Sequence, residues 1–238
     1  MGYYSGNSLY TFATVLFFAA MIFSFWASAK VKKTYNKYSA KQNRSGITGA
    51  QAARAILDRN NLQYVPIAQT SGTLTDYYDP QSKRVVLGEH EYSTPSSVSV
   101  GVAAHECGHA IQYAHNYFPA KLRMAIVPIT NFGSKLSWPV IIAGCLLGAI
   151  IPLAFNLVYI GIALFGLCVL FQLITLPTEF DASARALKCI KEYNILDGED
   201  YNEAKEVLTA AALTYVAALA TSLAQMLRLI AIYGNRKR

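Results

Sequence analysis

Long uncharged stretches dominate the pattern of hydrophobic and polar positions along the chain. Residues Leu9–Ala29 carry no charge, and at 1.5 Å per residue they are about long enough to cross a 30 Å hydrocarbon core. They predict a first transmembrane helix. A cleaved signal peptide is the rival interpretation, because Ala27-Ser28-Ala29 resembles a cleavage site. A retained anchor fits better, since Met1–Ser8 has no basic residue and the apolar part is too long.

A second apolar stretch is too long for one crossing. The 43 residues between Lys135 and Glu179 contain no Asp, Glu, Lys, Arg or His. Pro152 and Asn156 are suitable turn residues near the middle, so the stretch predicts a hairpin of two transmembrane helices at about 139–153 and 157–176.

A third uncharged stretch, Val207–Leu227, is rich in Ala and Thr, and the sequence leaves open whether it crosses the bilayer. A crossing would carry the basic tail Arg236–Arg238 to the side opposite the other basic residues, against the usual charge bias. The pattern favours a helix that packs on the bundle or lies in the interface.

Shorter patterns fill the region between the first two stretches. The segment from Thr48 to about Asn61 predicts an N-capped amphipathic helix. Turn residues Asp79 and Pro80, followed by Val85 and Val86, predict two short paired strands. Thr94-Pro95 predicts the start of a helix that runs to about His115. The fold class is therefore a mainly α-helical integral membrane protein with a small β element.

Composition supports this interpretation and adds a charge asymmetry. The chain is 53% hydrophobic and 15% charged, with a net charge of +7, which is too apolar for an ordinary soluble domain. Six Lys and Arg residues lie between Lys30 and Arg44 without an acid. Directly after an apolar helix, this run indicates a contact with anionic lipid on the cytoplasmic side rather than with nucleic acid. The four cysteines form no CxxC pair and do not indicate an oxidising compartment.

The segment His105-Glu106-Cys107-Gly108-His109 matches the HExxH motif. One helical turn separates the two histidines, so both can bind one metal ion, and Glu106 can act as general base on a zinc-activated water. A structural pair is the alternative, but the surrounding helix is small and apolar, where unpaired polar groups are costly. Cys107 is expected to be a small packing residue, and Gly108 to allow close approach of another backbone or of substrate.

A catalytic zinc site needs a third protein ligand, and Glu179 is the candidate because it is the first charge after the hairpin. Pro177 and Thr178 suggest that a helix starts there, so Glu179 and Asp181 could instead be acids that favour a helix N-terminus. The hairpin returns the chain to the side of the HExxH helix, which places both halves of the site on the cytoplasmic face.

The roles of the remaining polar residues stay open at this point. Asp181 is either an acceptor that orients a zinc-bound histidine or a solvated charge. His115 is expected outside the metal shell, and His90 in a loop without a role. The candidates for oxyanion stabilisation are Tyr77, Tyr78, Arg185 and Tyr215.

The segments GTLTDYYDP, VAAHECGHAIQ, LPTEFDASARAL and AAALTYVAAL resemble, in order and spacing, the YugP-type neutral zinc metallopeptidases of bacterial membranes. The resemblance covers about Thr34 to Leu229. It implies a membrane-bound, gluzincin-like enzyme with a zincin-like metallopeptidase domain, in which His105, His109 and Glu179 bind one catalytic Zn²⁺ and Glu106 is catalytic.

The layout is also similar to the HtpX-type membrane proteases, which usually carry Asp four residues after the ligand Glu. This chain has Ser183 there, which would transfer the orienting role to Asp181. It also has Tyr77 where the YugP-type pattern often has His, so that position has no implied role in proton transfer.

These observations favour an endopeptidase in the cell membrane that acts on membrane or membrane-proximal proteins, with Arg84–Leu87 as an edge strand that pairs with substrate. The predicted partners are a protein or peptide substrate, the lipid bilayer and, of unknown identity, a membrane protein or a second copy. The alternatives are a membrane scaffold with a structural zinc and a hydrolase of a lipid-like substrate.

The predicted regions are an anchor (1–29), a catalytic region (30–137), a hairpin (138–176), a helix with the third ligand (177–206), and an apolar helix with a basic tail (207–238).

Overall fold

The computed structural model describes residues 3–72 and 75–234, with side chains from Ser8 onward. The basic tail Arg236–Arg238 and two residues of the predicted strand region, Thr73 and Leu74, lie outside the described residues. The fold is mainly helical, as the sequence predicts. Its helices are α1 (Tyr3–Ser39), α2 (Gly49–Arg59), α3 (Glu89–Ser93), α4 (Ser97–Ala114), α5 (Phe118–Gly148), α6 (Asn156–Glu192) and α7 (Gly198–Tyr233). Its strands are β1 (Ile67–Thr70), β2 (Tyr77–Asp79) and β3 (Arg84–Gly88).

The chain forms two compact units. The apolar unit contains the chain up to Trp26, Leu122–Leu176 and the chain from Tyr215 onward. The polar unit contains Ala27–Lys121 and Pro177–Thr214.

The apolar unit has large hydrophobic side chains on its surface, where a water-soluble unit would place polar ones. Ile150 and Leu153 are 80% and 76% exposed at the end of a helix pair, and Phe25 on α1 is 71% exposed. Within the described residues, three helices are long and apolar enough to cross a membrane: Ser8–Ser39, Pro152–Glu192 and Gly198–Tyr233. An extended apolar surface of this kind is suited to lipid.

The predicted hairpin is present as α5 and α6, joined by a short 3₁₀ turn at Pro152–Phe155. Small residues bring its arms together, since a Cβ on Gly144 would lie 2.7 Å from the Val158 backbone nitrogen. The first arm begins at Phe118 rather than near 139 and contains Pro128 and Pro139. Of the two arms, only α6 meets the length and apolarity of a span. The sequence favours packing on the bundle for the stretch Val207–Leu227. This stretch lies in α7, which is also long and apolar enough to cross a membrane.

The polar unit encloses a core of small and aliphatic side chains from α2, β3, α4 and α6, among them Ile56, Leu87, Val100 and Ile190. As predicted, α2 begins after Thr48, whose hydroxyl accepts from the Gln51 amide while the Gln51 side chain accepts from the Thr48 amide.

The sheet corrects one prediction of the sequence. Strands β2 and β3 form the expected antiparallel pair, but β1 pairs with β3 in parallel, so the order is β1-β3-β2. Arg84–Leu87 is therefore in the middle strand, not at an edge. Its backbone groups already pair on both sides and cannot bind a substrate strand. The segment of β2 occupies an edge and packs against α4.

Part of the basic run has acidic partners within the polar unit. Lys41 forms ion pairs with Glu203 at 2.5 Å and with Glu199 at 3.1 Å, and Arg44 also pairs with Glu199. Acidic residues in the first turns of α7 therefore neutralise part of the positive charge of the basic run, and not all of that charge is available to lipid headgroups.

Candidate metal centre

The HExxH motif lies in the second half of α4, as predicted, but this helix begins later than expected. Its N-cap is Ser96, whose hydroxyl accepts from the Ser99 amide at 3.0 Å. Thr94 and Ser96 have extended backbones, and the carbonyl of Pro95 accepts from the Asn43 amide at 2.9 Å. A residue before proline is biased away from the helical region, so the helix starts after the Thr94-Pro95 pair.

Three side chains of types that can bind a metal ion converge in the polar unit. The Nε2 atoms of His105 and His109 lie 3.2 and 3.7 Å from Oε2 of Glu179, and one donor atom of each residue lies within 4.8 Å of the others. Glu179 is 2% exposed, and both histidines are largely buried. In the described part of the chain this is the one group of at least three His, Cys, Asp or Glu residues with such spacing.

Glu179 reaches the histidines from the interior of a helix rather than from a helix start. Helix α6 is continuous from Asn156 to Glu192, with Pro177 inside it. The prediction of a helix start at Pro177 is therefore wrong, and so is the alternative that Glu179 and Asp181 stabilise a helix N-terminus. The part of α6 that belongs to the polar unit begins at Pro177, and its first turn directs Glu179 towards His105 on α4.

Close packing of α4 on α6 depends on Gly108. A Cβ at this position would lie 2.4 Å from the carbonyl oxygen of Ala182, far inside van der Waals contact. As expected, Gly108 allows close approach of another backbone, and that backbone belongs to α6. Cys107, on another side of α4, is fully buried and directs its sulfur at the Ala53 carbonyl, 3.6 Å away, consistent with a packing role.

Both histidines have a neutral side-chain partner on their second ring nitrogen. Nδ1 of His105 lies 3.1 Å from the Ser183 hydroxyl, and Nδ1 of His109 lies 2.9 Å from Oε1 of Gln112. These contacts direct Nε2 of each ring towards Glu179.

Asp181 does not bind a histidine directly. Its Oδ2 accepts from Gln112 Nε2 at 2.8 Å and from Arg185 Nε at 2.6 Å. The prediction that Asp181 orients a histidine in place of Ser183 is therefore wrong, since Ser183 itself contacts His105. Asp181 supports His109 only through Gln112.

Sequence reasoning missed Gln112 and passed over Ser183 in favour of Asp181, although spacing marks both residues. Gln112 follows His109 by three positions and Ser183 follows Glu179 by four, so each lies on the same helix face as its neighbour. Gln112 is fully buried, and its amide also donates to the Thr178 carbonyl at 2.7 Å, which links α4 to α6.

Glu106 is buried, at 8% exposed, and its charge acts on His109 and on Asp76. Burial on its own would lower the pKa of His109, but the nearby Glu179 carboxylate and the charge of Glu106 outweigh it and raise that pKa. Because a metal ion binds the neutral imidazole, metal binding has to release any proton that the His109 ring carries on that nitrogen.

The candidates for oxyanion stabilisation occupy different places. Tyr78 packs on the ring of Tyr113 at 5.6 Å, and burial raises its pKa to about 12. Arg185 is paired with Asp181, and Tyr77 is exposed on β2. Tyr215 belongs to the apolar unit. His115 ends α4 and lies 3.5 Å from Arg185, outside the group of three donors, as expected.

The donors fit zinc well. Two imidazoles and one carboxylate are a recognised three-residue set for catalytic zinc, which keeps one position open. In this chain both imidazoles already have a partner at Nδ1, and their Nε2 atoms and one carboxylate oxygen lie together in a buried place.

Comparison with known proteins agrees with this chemistry. A family model described as "Putative neutral zinc metallopeptidase" matches residues 13–234. A protein of Bacillus subtilis (strain 168) with the name "Putative membrane protease YugP" is 44% identical over 227 residues, which cover 95% of this chain and 97% of that protein. No solved structure matches the chain. The chain belongs to the neutral zinc metallopeptidase family.

Proposed function

We propose that this chain is a membrane zinc endopeptidase that hydrolyses peptide bonds in membrane or membrane-proximal proteins. The convergence of His105, His109 and Glu179 carries the proposal, because three side chains suited to a catalytic zinc come together although Glu179 lies 74 positions after His105. When bound there, Zn²⁺ would lower the pKa of a coordinated water to about 7 and polarise a carbonyl group.

The protein residues have separate roles in this proposal. His105, His109 and Glu179 hold one ion, and Ser183 and Gln112 fix the rings of the histidines. Glu106 takes the proton of the attacking water and passes it to the leaving nitrogen, as expected of a buried carboxylate next to the ligand face. An extended substrate segment pairs with the outer edge of β2, beside α4.

Loss of the base tests the enzymatic role. The Glu106→Gln protein, purified in detergent, should keep its zinc and lose about 10²–10⁴-fold in the rate of cleavage of a mixture of membrane proteins. Glu89→Gln, an exposed change on α3, is the matched control for removal of one acid. If Glu106→Gln cleaves as fast as wild type, Glu106 is not the base. If it loses cleavage but retains full cellular function, the scaffold interpretation is correct.

We place the polar unit on the cytoplasmic side of the cell membrane, on the basis of the Lys30–Arg44 run that begins this unit. A cysteine introduced at exposed Ser82 reports the side. In intact cells, a membrane-impermeant maleimide should label Ser82→Cys no more than wild type, and permeabilisation should expose it. Labelling of intact cells above the wild-type background would place the site outside.

A further inference from the structure

A second cluster of buried acidic side chains lies in the polar unit, apart from the three zinc-ligand candidates. Glu91 has no exposed surface. Its Oε1 accepts from the Tyr35 hydroxyl at 2.5 Å and lies 3.3 Å from Nδ1 of His90, which the structure places on α3 rather than in a loop. Its Oε2 is buried and has no hydrogen-bond partner among the described residues, and neither has Oδ2 of Asp76.

Oxygen atoms from four residues surround Gly88 at the junction of β3 and α3. The Gly88 amide donates to Oδ1 of Asp76 at 2.7 Å. A Cβ on Gly88 would lie 2.9 Å from Oε2 of Glu91, 3.0 Å from the Gly72 carbonyl and 3.5 Å from the Thr75 hydroxyl. The absence of a side chain at Gly88 therefore leaves a small space bordered by carboxylate, carbonyl and hydroxyl oxygens.

The charges in this space are not balanced by the described part of the chain. Among the described residues, His90 is the one basic side chain that pairs with either carboxylate, and it can balance one charge at most. Burial, together with the charges of Glu91 and Glu106, raises the pKa of Asp76 to about 6. Buried carboxylates without a counter-charge are costly, so either a bound cation or a proton has to neutralise the cluster.

We infer that Asp76, Glu91, the Gly72 carbonyl and the Thr75 hydroxyl form a divalent-cation site beside Gly88, with Ca²⁺ as the best-suited ion. All the donors are oxygen atoms, which hard cations prefer, and no nitrogen or sulfur atom is required. Two carboxylates balance a double charge. Ca²⁺ accepts irregular sets of carboxylate and carbonyl oxygens, whereas Mg²⁺ requires near-octahedral geometry and retains several waters.

The position of this calcium site gives it a structural consequence. Asp76 directly precedes edge strand β2, Gly88 ends β3, and Glu91 contacts Tyr35 near the polar end of α1. A cation there would fix the start of β2 to α3. It would also neutralise Asp76, whose carboxylate feels the charge of Glu106. The site is independent of the proposed hydrolysis, and its test does not require activity.

The test uses the full-length, zinc-replete protein in detergent, dialysed into calcium-free buffer. Calorimetric titration should show saturable Ca²⁺ binding with a matching rise in thermal unfolding temperature, and Mg²⁺ should bind more weakly. Glu91→Gln and Gly88→Ala should abolish both effects. Gly88 has φ −59°, which alanine adopts without backbone strain, so the second change acts through its Cβ, which would fill the space and press on Oε2 of Glu91 and the Gly72 carbonyl. Glu89→Gln on the same helix is the control and should behave like wild type.

The metal-free Glu91→Gln protein separates loss of a ligand from loss of the fold. Gln still accepts from Tyr35 and removes a buried charge, so without calcium this variant should unfold at or above the wild-type temperature. The inference is overturned if wild type shows no saturable Ca²⁺ binding at millimolar concentration, or if Glu91→Gln responds to Ca²⁺ as wild type does. The first of these results would mean that a proton neutralises the cluster.

Discussion

Nε2 of His105 lies 3.2 Å from Oε2 of Glu179, although the two residues are 74 positions apart in the chain. The contact joins α4 to the interior of α6 and brings a carboxylate to two imidazoles that are one helical turn apart. Since Glu179 is almost fully buried beside two nitrogen donors, this is the place in the polar unit best suited to a zinc ion.

Substitution of the proposed third ligand should distinguish the role of Glu179 in zinc binding from that of its neighbour Asp181. Glu179→Gln should abolish stoichiometric zinc binding, because a neutral amide is a poor replacement for the carboxylate. Asp181→Asn should retain zinc, since Asp181 reaches His109 only through Gln112. Metal analysis of the two purified proteins measures this difference, and loss of zinc from Asp181→Asn alone would reverse the assignment.

The partners of the histidines should control zinc affinity without binding the metal. Gln112→Leu and Ser183→Ala each leave one Nδ1 without its acceptor, and each should weaken zinc binding about 10–100-fold. Competition with a chromogenic zinc chelator measures the affinity.

Two further variants sharpen this test. Ser183→Asp supplies another acceptor for His105 and should restore tight binding. Gln81→Leu, at an exposed glutamine, is the control for the loss of one amide. Unchanged affinity in both Gln112→Leu and Ser183→Ala would show that these contacts do not orient the rings.

Gly108 should be more sensitive to an added methyl group than Gly101 on the same helix. At Gly108 the new Cβ would meet the Ala182 carbonyl at 2.4 Å, whereas at Gly101 the nearest atom is the Ala204 Cβ at 3.3 Å. Gly108→Ala should separate α4 from α6, lower the free energy of unfolding by about 1–3 kcal/mol and weaken zinc binding. Gly101→Ala should do little, as thermal unfolding and zinc titration can show.

Asp76 should make the stability of the calcium-free protein depend on pH. Its pKa is 3.8 ordinarily and about 6 in the folded protein, so folding favours the protonated form. The resulting stabilisation is complete below pH 3.8 and is lost as the pH rises through about 6. Relative to Asp76→Asn, wild type should therefore lose stability over this range, as measured by thermal unfolding of both metal-free proteins. A constant difference between the two would contradict the shift.

Local patterns were reliable where one element decides the outcome. The cap at Thr48, the β2–β3 pair around Asp79-Pro80 and the turn near Pro152 all follow from the conformational preferences of a few adjacent residues. The same is true of the HExxH helix, in which the spacing of His105 and His109 sets their common face.

Predictions that required knowledge of a distant partner were less accurate. The sequence predicts an edge position for Arg84–Leu87, because its parallel partner Ile67–Thr70 has no strong strand pattern of its own. Pro177 suggested a helix start, but α6 continues through it, since packing outweighs one missing backbone hydrogen bond.

By itself the sequence determined the apolar helices, the pair of imidazoles and donor types suited to zinc, because hydrophobicity, helical periodicity and ligand type are properties of adjacent residues. Only the tertiary structure decided that Ser183 and Gln112, rather than Asp181, contact the histidines. It alone brought the carboxylates of Asp76 and Glu91 to Gly88. Those contacts depend on how closely separate helices and strands pack, and that distance is set by all the side chains of the core together.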